Sequence, residues 1–312
     1  MTLLLYDDIY LKHDTAPYHP ENYKRLECTI DHLKSAGLWN KLTLVSPRAA
    51  TVEEIALVHD RGYISRARKV AEGGGGQLDP DTVLSRDSYQ AAIYAAGALL
   101  TASDLVMGKK DTNAFCLVRP PGHHARPARG MGFCIFNNAA IAAQYLISRH
   151  KLERVLIVDW DCHHGNGTQE IFYNDPRVLY LSLHRWPFYP GTGGKDERGN
   201  GEGDGFTINI PIREGTSPEE YIQSFRNVMN GSASAFDPEF IIISAGFDTY
   251  AEDPIAGLGL SAKDFATLTK ITMDVAKRCS QDRIVSCLEG GYSLQGLPLC
   301  IEQHLNALLE IT

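Results

Sequence analysis

Short apolar runs of five to seven residues alternate with longer stretches in which apolar residues recur every three or four positions. The short runs are "AFCLV" (114–118), "RVLIVD" (154–159), "VLYLSL" (178–183), "FTINIPI" (206–212), "FIIISA" (240–245) and "RIVSCLE" (283–289). Their almost unbroken apolar character predicts strands buried on both faces. Helices are predicted over 88–107, 137–150, 217–236 and 261–279. Ser217 and Ser261 fit N-caps, with Glu220 and Asp264 three residues further on. Strands separated by helices predict a single α/β domain over residues 1–312, its central parallel sheet flanked by helices on both faces. Two glycine-rich stretches, "EGGGGQLDPD" (72–81) and "YPGTGGKDERGNGEGDG" (189–205), lack periodicity and read as surface excursions.

The residues that end the runs change the picture. "AFCLV" leads into "RPPGHH", "RVLIVD" into "WDCHHGNG", "VLYLSL" into "HRW", "FIIISA" into "GFD" and "RIVSCLE" into "GGY". Ligands of open parallel sheets bind beyond the carboxyl ends of the strands, so five such tails predict one shared site.

Composition narrows the function. Apolar content of 44% and charged content of 22% over 312 residues describe an ordinary globular chain. A net charge of −8 without a Lys/Arg cluster argues against nucleic acid as partner. The seven cysteines are scattered and mostly sit in apolar runs, which predicts free thiols in a reducing compartment. The opening "MTLLLYDDIY" has too short an apolar run and no basic leader for a signal peptide, and no segment approaches the ~20 apolar residues of a membrane span. The expectation is a cytoplasmic protein with no membrane partner; the sequence leaves its oligomeric state open.

Asp161 and His163 stand two apart on an extended segment, so their side chains leave one side and can share an ion. Asp248, ending another run, would be a third ligand. Two carboxylates and one imidazole leave a position for water, as catalytic sites do. Zinc fits this set best, and Fe(II), Co(II) or Mn(II) could occupy it. His123 and His124 follow a Pro-Pro-Gly turn, and three readings are open for them: general acid–base catalysts, metal ligands, or core histidines. Gly290 and Gly291 let the backbone approach a substrate, and Tyr292 after them could donate to a developing oxyanion.

Together these residues resemble the zinc-dependent histone deacetylase superfamily. The resemblance is carried by "RPPGHHA", "GFCIFNNAAIAA", "VDWDCHHGNGTQEIFY", "YLSLHR", "YPGTGG", "SAGFDTYAEDPIAGL" and "LEGGY", and it runs from about Tyr6 to the C-terminal helix. "HHGNGT" and "EGGY" favour the class II-like branch with its many bacterial amidohydrolases. The resemblance implies an arginase–deacetylase fold with about eight parallel strands. It implies zinc on Asp161, His163 and Asp248, His124 as general base and later acid, and His123 as its electrostatic partner oriented by Asp159. Asn166 stands where class I enzymes place an aspartate against the second histidine, which should leave His124 with a lower pKa. Tyr292 matches the oxyanion-binding tyrosine, Gly132 and Phe133 one wall of the acyl-lysine tunnel, and Tyr189 the other. Asp81 resembles a rim aspartate that grips substrate backbone, and Arg25 an arginine beneath the metal pocket. Asp159, Ser182 and the carbonyls of Asp161, His163 and Leu183 match a structural potassium site.

The implied reaction is metal-assisted hydrolysis of an acylated lysine or small acylated amine, with hydroxamates as expected inhibitors. Ile255, following "DP", stands where relatives acting on acetylpolyamines can place an acidic gatekeeper. An apolar residue there favours acyl-lysine or a simple amine over an acetylpolyamine. An arginase-like ureohydrolase with two manganese ions and a non-catalytic binding module are the rival readings.

Overall fold

The computed structural model describes residues 1–16, 18–108 and 113–310. Its strands are β1 (Thr2–Leu5), β2 (Thr43–Val45), β3 (Gly75–Asp79), β4 (Thr82–Ser85), β5 (Asn113–Cys116), β6 (Val155–Asp159), β7 (Val178–Arg185), β8 (Thr207–Ile212), β9 (Phe240–Ala245) and β10 (Ile284–Leu288). Eight of them form one sheet in the order β2-β1-β5-β10-β9-β6-β7-β8, every pairing parallel. The six runs predicted from sequence are β5 to β10, each end within two residues. In β5, β6, β9 and β10 every residue is buried, the signature of strands covered on both faces.

The predicted helices form as Ser88–Gly108, Asn138–His150 and Ala262–Cys279, while the fourth runs Pro218–Val228 and continues through a π turn, Met229–Ala233, into Ser234–Phe236. Ser217 Oγ accepts from Glu220 N and Glu220 answers at the Ser217 N–H, a reciprocal cap. The Asp264 carboxylate takes the Ser261 N–H and hydroxyl at 2.7 and 2.8 Å. On one face of the sheet Ala262–Cys279 packs on Gly296–Leu309, which packs on Lys24–Ser35. On the other, Ser88–Gly108 packs on Asn138–His150 and on β5.

The expectation that no segment is long and apolar enough to span a membrane does not hold for Ser88–Gly108, which is both at 21 residues. Its Ala91, Ala95, Ala98, Leu99 and Ala102 are fully buried, so this helix is apolar because it lies in the core. The stretch 72–81 is also more than a loop, because it carries β3 and the turn into β4.

Topology places the site. From β6 the chain winds outward through β7 to the edge strand β8, then returns to lay β9 on the other side of β6. β10 fills the gap between β9 and β5. The tails of β5, β10, β9 and β6 therefore lie side by side at the carboxyl edge, at the point where winding reverses.

Candidate active site

Beyond β6, Asp161 and His163 meet Asp248 from the tail of β9, all three buried. His163 Nδ1 lies 3.1 Å from Asp161 Oδ1 and 2.9 Å from Asp248 Oδ2. Each carboxylate commits its other oxygen to the backbone: Asp161 Oδ2 accepts from Gly290 N at 2.8 Å, and Asp248 Oδ1 from Cys162 N at 2.8 Å. Asp248 Oδ2 is buried and accepts no hydrogen bond. Burial, followed by the charge of Asp161, pushes the Asp248 carboxyl up to about 7. An orphaned buried oxygen facing a second carboxylate and an imidazole nitrogen suits a divalent cation, which would be held by Asp161, His163 and Asp248. Among the described residues this is the one cluster of its kind.

Gly290 is what lets the β10 tail come this close. A Cβ there would stand 2.5 Å from Asp248 Oδ2 and 2.6 Å from Asp161 Oδ2. The residues lining the pocket do not include Gly290 and Gly291, and the Gly291 carbonyl accepts from Arg25 Nε at 2.7 Å. Close packing is what the structure shows for both, Gly290 on the two carboxylates and Gly291 on Leu297 and Phe247.

The histidine pair sits in two unlike surroundings, with ring centroids 4.0 Å apart. His123 Nδ1 donates to Asp159 Oδ2 at 3.0 Å, and Tyr180 donates its hydroxyl to the same oxygen at 3.1 Å. Burial alone would lower His123, but Asp161 and Asp159 outweigh it and hold it up at about 10. His124 Nδ1 instead meets Asn166 Oδ1 at 2.8 Å. With the Asn166 amide turned to place its Nδ2 toward Met131 Sδ, that oxygen can only accept, so Nδ1 carries the hydrogen and Nε2 the lone pair. Burial, then the neighbouring His123 and His163, hold His124 well below the usual imidazole range. One imidazole is thus kept charged and the other neutral.

A pocket of about 190 Å³ opens over this floor, lined by Asp81, His124, Gly132, Phe133, His163, Phe188, Tyr189, Ile255 and Tyr292. Phe133 stands edge-on to Tyr292 at 5.9 Å, and Tyr189 edge-on to His124 at 5.1 Å. Phe188, which sequence reading passed over, stacks on His163 at 5.2 Å, and the Arg185 guanidinium lies over its ring, 4.4 Å from the centroid. Gly132 and Phe133 both have positive φ, 55° and 68°. A side chain at Gly132 would overlap the His124 ring. The β3–β4 hairpin braces this strained turn: Asp81 Oδ1 accepts from Gly132 N at 3.0 Å and Thr82 Oγ1 from Phe133 N at 3.1 Å. Asp81 is therefore at the mouth, with one oxygen committed to the wall.

Three further groups went unrecognised in the sequence. Glu289, fully buried, accepts from Gly122 N and His123 N at 2.7 and 3.2 Å and fixes the turn carrying the histidines. Glu21 pairs with Arg119 and Arg25 in the interior, and Arg25 lies 5.1 Å from the Tyr292 ring while donating to the Glu289 carbonyl at 2.6 Å. Asp253 accepts from Tyr292 N at 2.7 Å. An isolated acidic residue in a loop gives no pattern from which such a partner could be read. Of the potassium set, Asp159 and Ser182 are register partners on β6 and β7.

A parallel eight-stranded sheet gathering such a triad, a histidine pair and a phenol at its carboxyl edge defines the arginase–deacetylase class of α/β fold. The histone deacetylase domain family matches residues 19–308, and the chain belongs to that family. It is 41% identical over 298 residues to a probable deacetylase of Archaeoglobus fulgidus, covering 95% of this chain and 82% of that one. It is 38% identical over 282 residues to a histone deacetylase-like amidohydrolase of Pseudomonas aeruginosa, covering 90% and 73%. The crystal structure of the HDA15 HD domain superposes with a TM-score of 0.93 at 36% identity, over 99% of this chain and 88% of that one. The membership is that of the histone deacetylase-like deacetylases and amidohydrolases.

Proposed function

We propose that the protein is a zinc-dependent deacetylase that hydrolyses an acylated lysine or small acylated amine to a carboxylate and a free amine. The observation that carries this is the placement of the Asp161–His163–Asp248 triad under a narrow pocket that His124 and Tyr292 also line. A divalent cation bound there supplies Lewis-acid polarisation of the acyl carbonyl and acidifies a water. Neutral His124, with Nε2 free, takes the proton of the attacking water and returns it to the leaving amine. Tyr292 donates to the oxygen that gains charge. His123, held charged by Asp159 and Asp161, adds positive potential and keeps His124 neutral. Phe133, Phe188 and Tyr189 form the apolar wall for a methylene chain, and Asp81 at the mouth is placed to hold the chain beyond it. Asp159, Ser182 and the carbonyls of Asp161, His163 and Leu183 are assigned to a structural K⁺ beside the ligands, where it would tune them.

Ile255 puts an apolar side chain on the pocket wall where an acidic gatekeeper would offer a second ammonium a partner, which favours acyl-lysine or a simple amine over an acetylpolyamine. All seven cysteines are free, which supports a reducing, cytoplasmic setting. A panel of fluorogenic acetyl-lysine amides, acetylpolyamines and guanidino substrates tests the reading, with a hydroxamate as inhibitor. Hydroxamate-sensitive release of acetate from acetyl-lysine is expected. Urea release with two metals per chain would instead establish the ureohydrolase reading, and an inert protein the binding-module reading.

A further inference from the structure

We propose that Asp253 is a positioning residue that ties the substrate-facing wall at Ile255 to the backbone of Tyr292, so that specificity wall and oxyanion donor are held as one unit. The inference rests on the function proposed above for the role of Tyr292. Asp253 Oδ1 accepts from Ile255 N at 3.0 Å and from Ala256 N at 3.2 Å, a local turn. Its Oδ2 reaches 39 residues along the chain to accept from Tyr292 N at 2.7 Å. No local turn requires that second bond. Both residues that flank it in space, Ile255 and Tyr292, line the pocket.

The same loop is anchored at two other points of the site. Gly257 N donates to the carbonyl of the triad's Asp248 at 2.8 Å, and Arg185 donates to the Ala256 carbonyl at 3.3 Å. A carboxylate suits the junction because both oxygens only accept, and N–H donors approach from both sides. An amide of the same shape cannot replace it. In either orientation Asp253→Asn presents an NH₂ to one of the two sets of N–H donors. Asp253→Ser keeps a local turn through its hydroxyl but is too short to reach Tyr292.

The test compares wild type, Asp253→Asn, Asp253→Ser, Tyr292→Phe and the Asp253→Asn/Tyr292→Phe double variant on a fluorogenic acetyl-lysine amide. Amide hydrogen exchange and melting temperature are measured alongside. Each Asp253 variant is expected to lower kcat about 10- to 100-fold, and the double variant to be no slower than Tyr292→Phe alone within about twofold, because both changes remove one interaction. Exchange is expected to accelerate in 253–257 and 290–293 together. Losses that multiply in the double variant, or faster exchange confined to 253–257, would overturn the proposal. If the wild-type protein hydrolyses no acylated amine, the proposed function fails, and the exchange data alone decide the coupling by the same criterion. If Asp253→Asn does not fold, Asp253→Ser carries the test.

Discussion

Two histidines adjacent in sequence take opposite protonation states: at His123 the charges of Asp161 and Asp159 outweigh burial, while burial and the neighbouring His123 and His163 hold His124 neutral against an amide partner. Environments that push paired groups apart are how acid and base are told apart in a site. In the proposed reaction His124 works as a base only while neutral, so the acid limb of kcat/KM should report its pKa. Replacing Asn166 by Asp puts a negative charge against the Nδ1–H, 2.8 Å away in the wild type. That stabilises the imidazolium and raises the pKa, so the acid limb should move to higher pH by about 1 unit or more. Activity on the acid limb then falls relative to the plateau; an unmoved limb would mean His124 is not the base. Tyr292→Phe removes a single donor from the pocket and should cut kcat by roughly 10²–10³ with the melting temperature unchanged. Near wild-type turnover would leave that tyrosine a packing role only.

At the scale of elements, the strand tails matter more than the strands. The β10 tail passes so close to the triad that Gly290→Ala would drive a methyl into both carboxylates, with contacts of 2.5 and 2.6 Å. The variant should fold with its strands intact and lose its metal to a chelator far more readily than wild type; equal retention in dialysis against EDTA would contradict this. How much of this was legible followed from pattern length. β5 to β10 and the long helices announced themselves through apolar runs and periodicity, and their tails through clustered His and Asp. β1 is four residues long and β2 only three, on an edge where Leu44 is half exposed, so neither offers a pattern. The β3–β4 hairpin was hidden by its glycines, which read as a loop. Glu289 and Asp253 were invisible for another reason. Each acts on backbone N–H groups, and backbone donors leave no trace in the identity of the residues they belong to. The close packing of Gly290 on the carboxylates is likewise visible only in the fold.

For the whole molecule, the buried histidines set the acid side of stability. His304 lies between Thr269 Oγ1 and Ser286 Oγ, each 2.7 Å away, and Thr269 itself donates to the Phe265 carbonyl. His304 Nδ1 therefore donates, Nε2 accepts, and the neutral ring is satisfied at both ends. Burial lowers its pKa to about 3, and burial likewise lowers His13 to about 3 and His59 to about 4. In the unfolded chain these groups titrate near 6.5, so below that pH unfolding takes up protons. Their contribution is complete above pH 6.5 and is lost as pH falls toward about 4 for His59 and about 3 for His13 and His304, each group costing about 1.4 kcal/mol per pH unit in mid-range. Urea unfolding should give a lower stability at pH 5 than at pH 7, and His304→Gln should flatten that slope. A stability independent of pH across this range would show that these rings are not neutral in the fold.

The proposed function depends on a dication held by Asp161, His163 and Asp248. The most direct measurement is a zinc titration of chelator-stripped protein, followed by calorimetry and by hydrolysis of an acetyl-lysine amide in the same samples, with Asp248→Asn as control. Binding should saturate at one ion per chain, activity should rise in step with occupancy, and the control should bind weakly and stay inactive. Saturation at two ions, or hydrolysis that proceeds undiminished without metal, would contradict the account.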